Sequence, residues 1–291
     1  MKFDSHTAAE WRDIVVEAGR SWQADGAPSM GAALSFYTLF SMAPLLLLAI
    51  SIAGIAIGSD TAREMLMTQL TGLMGDEGAG AIRSVLERAN ERSEGWWSAM
   101  VSIVTLVIGA STVFAELRRD LDKIWKLEVP EKSGLWNFVF SKVLSVGMVA
   151  TIGFLLMVSL AVSATVTAMG HLWAGAFPGS GVIPRLLEFV GSFLVITGLF
   201  AMIYRLLPSV KIAWGDVWIG AALTSFLFWI GKYLIGIYIG KSAVASPFGA
   251  AGTLVVVIVW VYYSAQIFFL GAELTRAYAV HMGSLKGRAA Q

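Results

Sequence analysis

The chain has 291 residues, a net charge of +1 and no cysteine, with 57% of its residues hydrophobic and 14% charged, where a soluble domain carries roughly a quarter charged residues. That balance excludes an ordinary water-soluble domain. The missing cysteines exclude disulfides and thiolate chemistry, and no block of five or more like charges supplies the basic footprint of a nucleic-acid binder. His6, His171 and His281 each stand alone, so the expected partners are membrane lipids and small solutes, with no nucleic acid and no metal.

Residues 1–30 are too acidic and too rich in Trp for a secretory leader, so the apolar run that follows is expected to stay as an anchor. Within them Trp11, Val15, Ala18 and Trp22 recur at helical spacing over Ala8 to Gln23, predicting a cytoplasmic amphipathic helix. Its mixed acidic and basic face favours docking across the inner ends of a bundle over lying on the membrane surface.

Charge-free runs then follow: Gly26 to Ser59 (34 residues), Gly95 to Ala115 (21), Val143 to Pro184 (42) and Ser242 to Ala272 (31). Each exceeds the ~20 residues a spanning helix needs. The fold class is an all-α polytopic bundle, a single membrane domain over residues 31–280 followed by a short cytoplasmic tail, 281–291. Six spans are expected, at about 31–58, 97–115, 143–170, 186–207, 214–240 and 249–278.

Between the first two spans, residues 59–96 read as an extracytoplasmic helical hairpin. Met65, Leu66, Gln69, Leu70 and Leu73 form one stripe, and Ile82, Val85, Leu86 and Ala89 a second. Gly75, Gly78 and Gly80 mark the break. It reads either as a lid over a cavity or as a passive cap. Later, Pro178, Gly179, Gly181 and Pro184 turn the chain before span four, Pro208 closes that span, and Ser246-Pro247 separates span five from span six.

Fourteen of the 21 Lys and Arg residues fall on the side of both termini, with Arg118, Arg119, Lys123 and Lys126 directly behind span two. That side is expected to be cytoplasmic. Trp96, Trp97, Trp125, Trp136, Trp173, Trp214 and Trp218 fall near span ends, where indoles anchor at headgroup depth.

Ionisable groups within or beside spans form the shortlist for function. Glu273 and Arg276 share a helix face at i, i+3; Glu116, Arg119 and Asp120 end span two, and Arg205 ends span four. These six are expected at one depth, as a cytoplasmic gate of ion pairs or as a stabilising girdle. Lys232 is expected at the outer headgroup zone, snorkelling or contacting a substrate phosphate. Ser35, Tyr37, Thr38, Ser41 and Pro44 give span one a polar, interrupted face. Gly249, Gly252 and Thr253 open span six, with Tyr262, Tyr263 and Gln266 deeper; all are candidate pathway-lining residues, although hydroxyls and small residues also serve helix packing. Gly236 and Gly240 form one small-residue pair.

Ala33-Leu34-Ser35-Phe36-Tyr37-Thr38-Leu39-Phe40-Ser41-Met42-Ala43-Pro44-Leu45 resembles the first span of the YihY/BrkB family of bacterial inner-membrane proteins. Leu121-Asp122-Lys123-Ile124-Trp125, Tyr204-Arg205-Leu206-Leu207-Pro208, Trp214 to Ala222, Gly249-Ala250-Ala251-Gly252-Thr253, Trp260-Val261-Tyr262-Tyr263 and Gly271-Ala272-Glu273-Leu274 are similar to the family's pattern. Phe248 departs from it, standing where the family has Tyr. The resemblance covers roughly residues 10 to 280. It implies a six-helix inner-membrane protein associated with transport of lipids or envelope precursors.

An older ribonuclease label attached to that family finds no support in these residues, which lack the metal cluster, the acid and base pair and the basic surface that such an enzyme needs. No phosphate-binding loop or zinc motif is present, so no cofactor is expected. The expected function is a transporter or flippase-like carrier of a lipid, envelope precursor or other amphiphile, through a cavity among spans one, five and six. The alternative is a non-catalytic scaffold that binds partner proteins. Six helices close a bundle alone or share a seam in a homo-oligomer.

Overall fold

A computed structural model describes residues 5–91, 112–126, 182–210, 212–242 and 252–286, and the secondary structure of these described residues is helical. The elements are α1 (Ser5–Ala24), α2 (Ala27–Ile57), α3 (Ser59–Glu91), α4 (112–124), α5 (Val182–Leu206), α6 (Trp214–Ser242) and α7 (Gly252–His281). The last three match expected spans four to six within a few residues. Span three, most of span two and Gly249 lie outside the described residues.

Among the described residues, three helices carry stretches long and apolar enough to cross a bilayer: Phe189–Leu206, Trp214–Tyr238 and Leu254–His281. α2 is 31 residues long without one charged side chain. Pro28 occupies its first turn, where a missing N–H leaves no bond unmade. The helix runs on through Pro44.

Glycines with positive φ punctuate this half of the chain. Gly26 (φ 78°) turns α1 into α2, and Gly75 (φ 77°, ψ 175°) breaks α3 into two arms. Both are backbone states that only glycine enters without strain. The break that the sequence placed among three glycines therefore falls at Gly75, while Gly78 is buried within the second arm.

α7 is the central helix, with α1, α2, α3 and α6 packed against it, and α5 lies on α6. One core joins Ala27, Met30 and Leu34 of α2, Leu121 and Ile124 of α4, Tyr204 of α5, Ala221 of α6, and Phe268 and Phe269 of α7. At the other end both arms of α3, through Met67, Met74, Ile82 and Leu86, pack on Leu39, Leu46 and Ile50 of α2, Ile235 of α6, and Val256, Val257 and Val261 of α7.

The α6–α7 seam is built on small residues. A methyl group added at Gly220 would overlap Thr275, one at Gly271 would overlap Thr224 and Tyr204, and one at Gly231 would overlap Tyr263 and Ile267. Backbones approach this closely only where a side chain is missing. Gly236, singled out from its spacing, faces open space instead.

α1 docks on the C-terminal half of α7 through Ile14 and Ala18, which meet Leu274 and Ala277, while Trp11 stacks on Tyr278 with ring centroids 5.7 Å apart. The stripe differs in phase from the expected one. Ile14 is fully buried and Val15 is 57% exposed, because the docked face follows 11, 14 and 18 rather than 11, 15 and 18.

Candidate functional site

The C-terminal ends of α1, α4, α5 and α7 meet the N-terminal ends of α2 and α6, and polar side chains accumulate there. At its centre Arg276, with its side chain 9% exposed, reaches three partners: Glu273 Oε2 at 3.2 Å, Glu17 Oε1 at 3.3 Å and Ser21 Oγ at 2.9 Å. His281 Nε2 meets Glu17 Oε2 at 2.5 Å. Burial pushes the Glu17 carboxyl up, but the bond to His281 and the charges of Arg276 and Lys126 outweigh it and hold Glu17 below its usual range.

The six charged residues expected at one depth separate into two pairs and two single residues, Arg205 and Asp120. Glu273 and Arg276 form the buried pair just described. Glu116 and Arg119 pair within α4 at 2.8 Å, with the Arg119 side chain 75% exposed. Arg205 sits 5.9 Å from the Trp214 ring centre, a cation–π contact.

Asp120 is 5% exposed, and its Oδ2 finds no hydrogen-bond partner. Burial, and then the neighbouring Glu116 charge, raise its pKa to about 7 against the opposing pull of Arg119 and Lys123.

Two carboxylates from the family-like segments act as clamps. Asp122 accepts the Ser209 N–H at 2.6 Å and its hydroxyl at 2.8 Å, while Arg118 Nη2 donates to the same hydroxyl at 3.2 Å. This holds the bend after Pro208 onto α4. Asp216, in the first turn of α6, accepts the Ser284 N–H at 3.0 Å and its hydroxyl at 2.6 Å, fixing the end of α7.

Deeper in the bundle the fully buried Tyr204 hydroxyl donates to Phe268 O at 2.7 Å and lies 3.1 Å from Thr224 Oγ1, joining α5, α6 and α7. Tyr204→Phe removes that donor, and a thermal melt of the purified variant is expected to show a loss of about 1–2 kcal/mol. An unchanged melt would mean that the bond adds nothing net.

The polar residues of span one turn back on their own helix. Ser35 donates to Gly31 O at 2.7 Å, and Ser41 to Tyr37 O at 3.1 Å and Thr38 O at 3.2 Å, a packing duty. Tyr37 and Thr38 are half-buried. On α7, Gly252 is buried at the helix start, Tyr263 packs against the α3 core, and Tyr262 is half-buried. Gln266 crosses to Ala27 O at 3.5 Å and leaves its own Oε1 buried and unmatched.

At the opposite end Lys232 Nζ donates to Gly72 O at 3.0 Å, where the first arm of α3 is about to end. Its ammonium therefore lies at the negative end of that arm and ties α6 to α3. Between the two arms lies an open cavity of about 570 Å³, lined by charged and polar residues including Asp60, Arg63, Glu64, Thr68, Arg83 and Glu87.

Sequence reasoning missed Glu17 and Ser21 as partners of the α7 charges. The available signal was their spacing of four, which draws a polar line along α1 beside its apolar stripe. Among the described residues no cluster of three or more metal-ligating side chains occurs.

The chain is similar to known membrane proteins. A UPF0761 membrane protein of Alcanivorax borkumensis is 24% identical over 266 residues, covering 90% of this chain and 59% of its own length. One from Pseudomonas aeruginosa is 24% identical over 253 residues, covering 86% and 59%. One from Halorhodospira halophila is 26% identical over 261 residues, covering 88% and 54%. The chain thus spans a little over half the length of these relatives. No solved structure matches it. Residues 18–291 match the family described as virulence factor BrkB, and with apolar helices long enough to cross a bilayer, this chain belongs to the BrkB family of membrane proteins.

Proposed function

We propose that the chain is a carrier in a bacterial inner membrane that moves a lipid, envelope precursor or other amphiphile across the bilayer, without covalent catalysis and with both termini in the cytoplasm. The reading includes six spans, of which α2, α5, α6 and α7 supply four.

One observation carries it. Glu273 lies within the apolar stretch of α7, wholly buried, and only one of its two oxygens is satisfied. A purely structural ion pair in a bundle engages both oxygens, since an unmatched buried polar atom costs about 1–3 kcal/mol and more when charged. An ionisable group kept incompletely paired inside a membrane helix marks a pathway or relay. The charged cavity between the arms of α3 gives the other end of the bundle a place for a polar headgroup.

A scaffold reading draws on a different observation, the exposure of Val15 and Val16 on α1, which suits a partner protein. Reconstitution separates the two. The purified chain in liposomes is expected to move fluorescent lipids or labelled envelope precursors faster than empty liposomes do, and Glu273→Gln is expected to lose that movement. No movement across a broad panel would favour the scaffold.

A further inference from the structure

The cavity between the arms of α3 holds charges of both signs that do not neutralise one another. Asp60, Arg63 and Glu64 line it from the first arm, and Arg83 and Glu87 from the second. Among the described residues none of these five side chains makes an ion pair or a hydrogen bond. Elsewhere in the fold, opposite charges equally close in sequence do pair, as Glu116 and Arg119 at 2.8 Å.

The charges are also sorted along the cavity. Arg83 lies about as far beyond the break at Gly75 as Thr68 lies before it, ~10–12 Å of helix, and Glu87 about as far as Arg63, ~18 Å. Asp60 and Glu64 belong to the same remote end. There the three carboxylates outnumber Arg63, whereas nearer the break the lining consists of Arg83, Met67, Thr68 and Thr71 and carries no acid. The Thr68 hydroxyl is occupied by Glu64 O at 3.0 Å, and that of Thr71 is free to donate. One end therefore favours a cation and the other an anion.

A pure anion set here would meet three carboxylates, and a pure cation two guanidinium groups, each an unfavourable approach of like charges. A group that carries both signs avoids both. The lining offers no aromatic ring, the usual seat of a quaternary ammonium, so the cation that fits is a primary ammonium donating to carboxylate oxygens. The anion that suits a guanidinium beside a hydroxyl is a phosphate. The cavity's volume of about 570 Å³ falls within the ~300–1,000 Å³ of small-molecule sites. Asp60 comes directly after the end of α2, whose last residue, Ile57, is 45% exposed. Apolar surface thus begins where the charged cavity ends, which suits an amphiphile.

We propose that the cavity between the arms of α3 binds a headgroup joining a phosphate to a primary ammonium, as in phosphoethanolamine, with Arg83 and Thr71 holding the phosphate and Glu64 and Glu87 the ammonium. As the substrate class of the carrier this rests on the carrier reading, whereas the binding itself does not.

Calorimetric titration of the purified full chain in detergent with short-chain lipids tests the site. Phosphatidylethanolamine is expected to bind roughly tenfold more tightly than phosphatidylcholine, whose ammonium has no hydrogen to donate, or phosphatidylglycerol, which has no cation. Arg83→Gln is expected to weaken phosphatidylethanolamine and phosphatidylglycerol alike, whereas Glu87→Gln erases the preference between them. Glu10→Gln, on α1 at the other end of the bundle, leaves the preference intact. Arg83 and Glu87 are exposed, so both variants should melt as the wild type does. Equal binding of the three lipids, or a preference that survives both substitutions, overturns the site. Glycerophosphoethanolamine, the headgroup without tails, distinguishes the sources: binding as tight as the lipid's assigns the site to the free phosphate ester, and binding roughly tenfold weaker assigns it to the lipid. In liposomes, movement of labelled phosphatidylethanolamine that Arg83→Gln abolishes supports this lipid as the substrate. Binding without any movement would sink the carrier reading and leave the site standing.

Discussion

Arg276→Met is expected to lower the stability of the purified protein by about 3–5 kcal/mol, the range found when one partner of a buried ion pair is removed. The guanidinium serves Glu273 from its own helix and Glu17 and Ser21 from α1, so its loss strands the buried Glu273 and removes the polar ties of α7 to Glu17 and Ser21 of α1. Methionine keeps the apolar stem of arginine and removes the guanidinium with its charge. Thermal melts in detergent read the overall loss, and limited proteolysis of α1 reads the undocking. Glu273→Gln should cost less, because Arg276 keeps its α1 partners. Equal melts for wild type and Arg276→Met would mean that solvent screens the cluster.

The second large effect is one of pH. The pKa of Asp120 rises from 3.8 to about 7 in the fold, so the folded chain holds this proton where the unfolded chain has released it. Stability from this group is complete below about pH 4 and is lost as pH rises through about 7, up to about 4 kcal/mol in all. Asp120→Asn, which cannot ionise, should flatten this part of the stability profile and exceed the wild type above pH 7. Melts of both proteins across that window check it, and parallel profiles would show that Asp120 stays charged in the fold.

Much of the architecture was legible because charge-free length and turn residues are local properties. Spans four, five and six stand within a few residues of their expected ends, and the break in the outer segment falls at one of its three glycines. What resisted reading was pairing. The sequence shows that Glu273 and Arg276 need partners, but Glu17 and Ser21 lie more than 250 residues away, and only the docking of α1 on α7 brings them in.

For the same reason Arg205 turned to Trp214 instead of a carboxylate, and Lys232 to a backbone carbonyl. Helical phase was a second blind spot. Ile14 and Val15 are equally apolar neighbours, and a stripe of small or aliphatic residues does not settle which of the two faces inward until the partner surface is known. The small-residue seam shows the same ambiguity, since Gly236 resembles Gly231 in sequence context while only Gly231 meets another helix.

The central position of α7 has a consequence for how the protein is made. Among the described helices it is the last to be synthesised, yet it is the one on which α1, α2, α3 and α6 converge. Helices inserted earlier must therefore wait in lipid with their contact faces unfilled, Gly220 and Gly231 of α6 among them. Lipid tails solvate such small, apolar faces without trapping them, so the contacts of α3 with α2 and of α5 with α6 can form first while the faces meant for α7 stay in lipid until it arrives. Biogenesis then resembles closing an arch with its keystone: assembly is completed late, and a ribosome that stalls before Gly252 leaves inserted helices without the one on which four others converge.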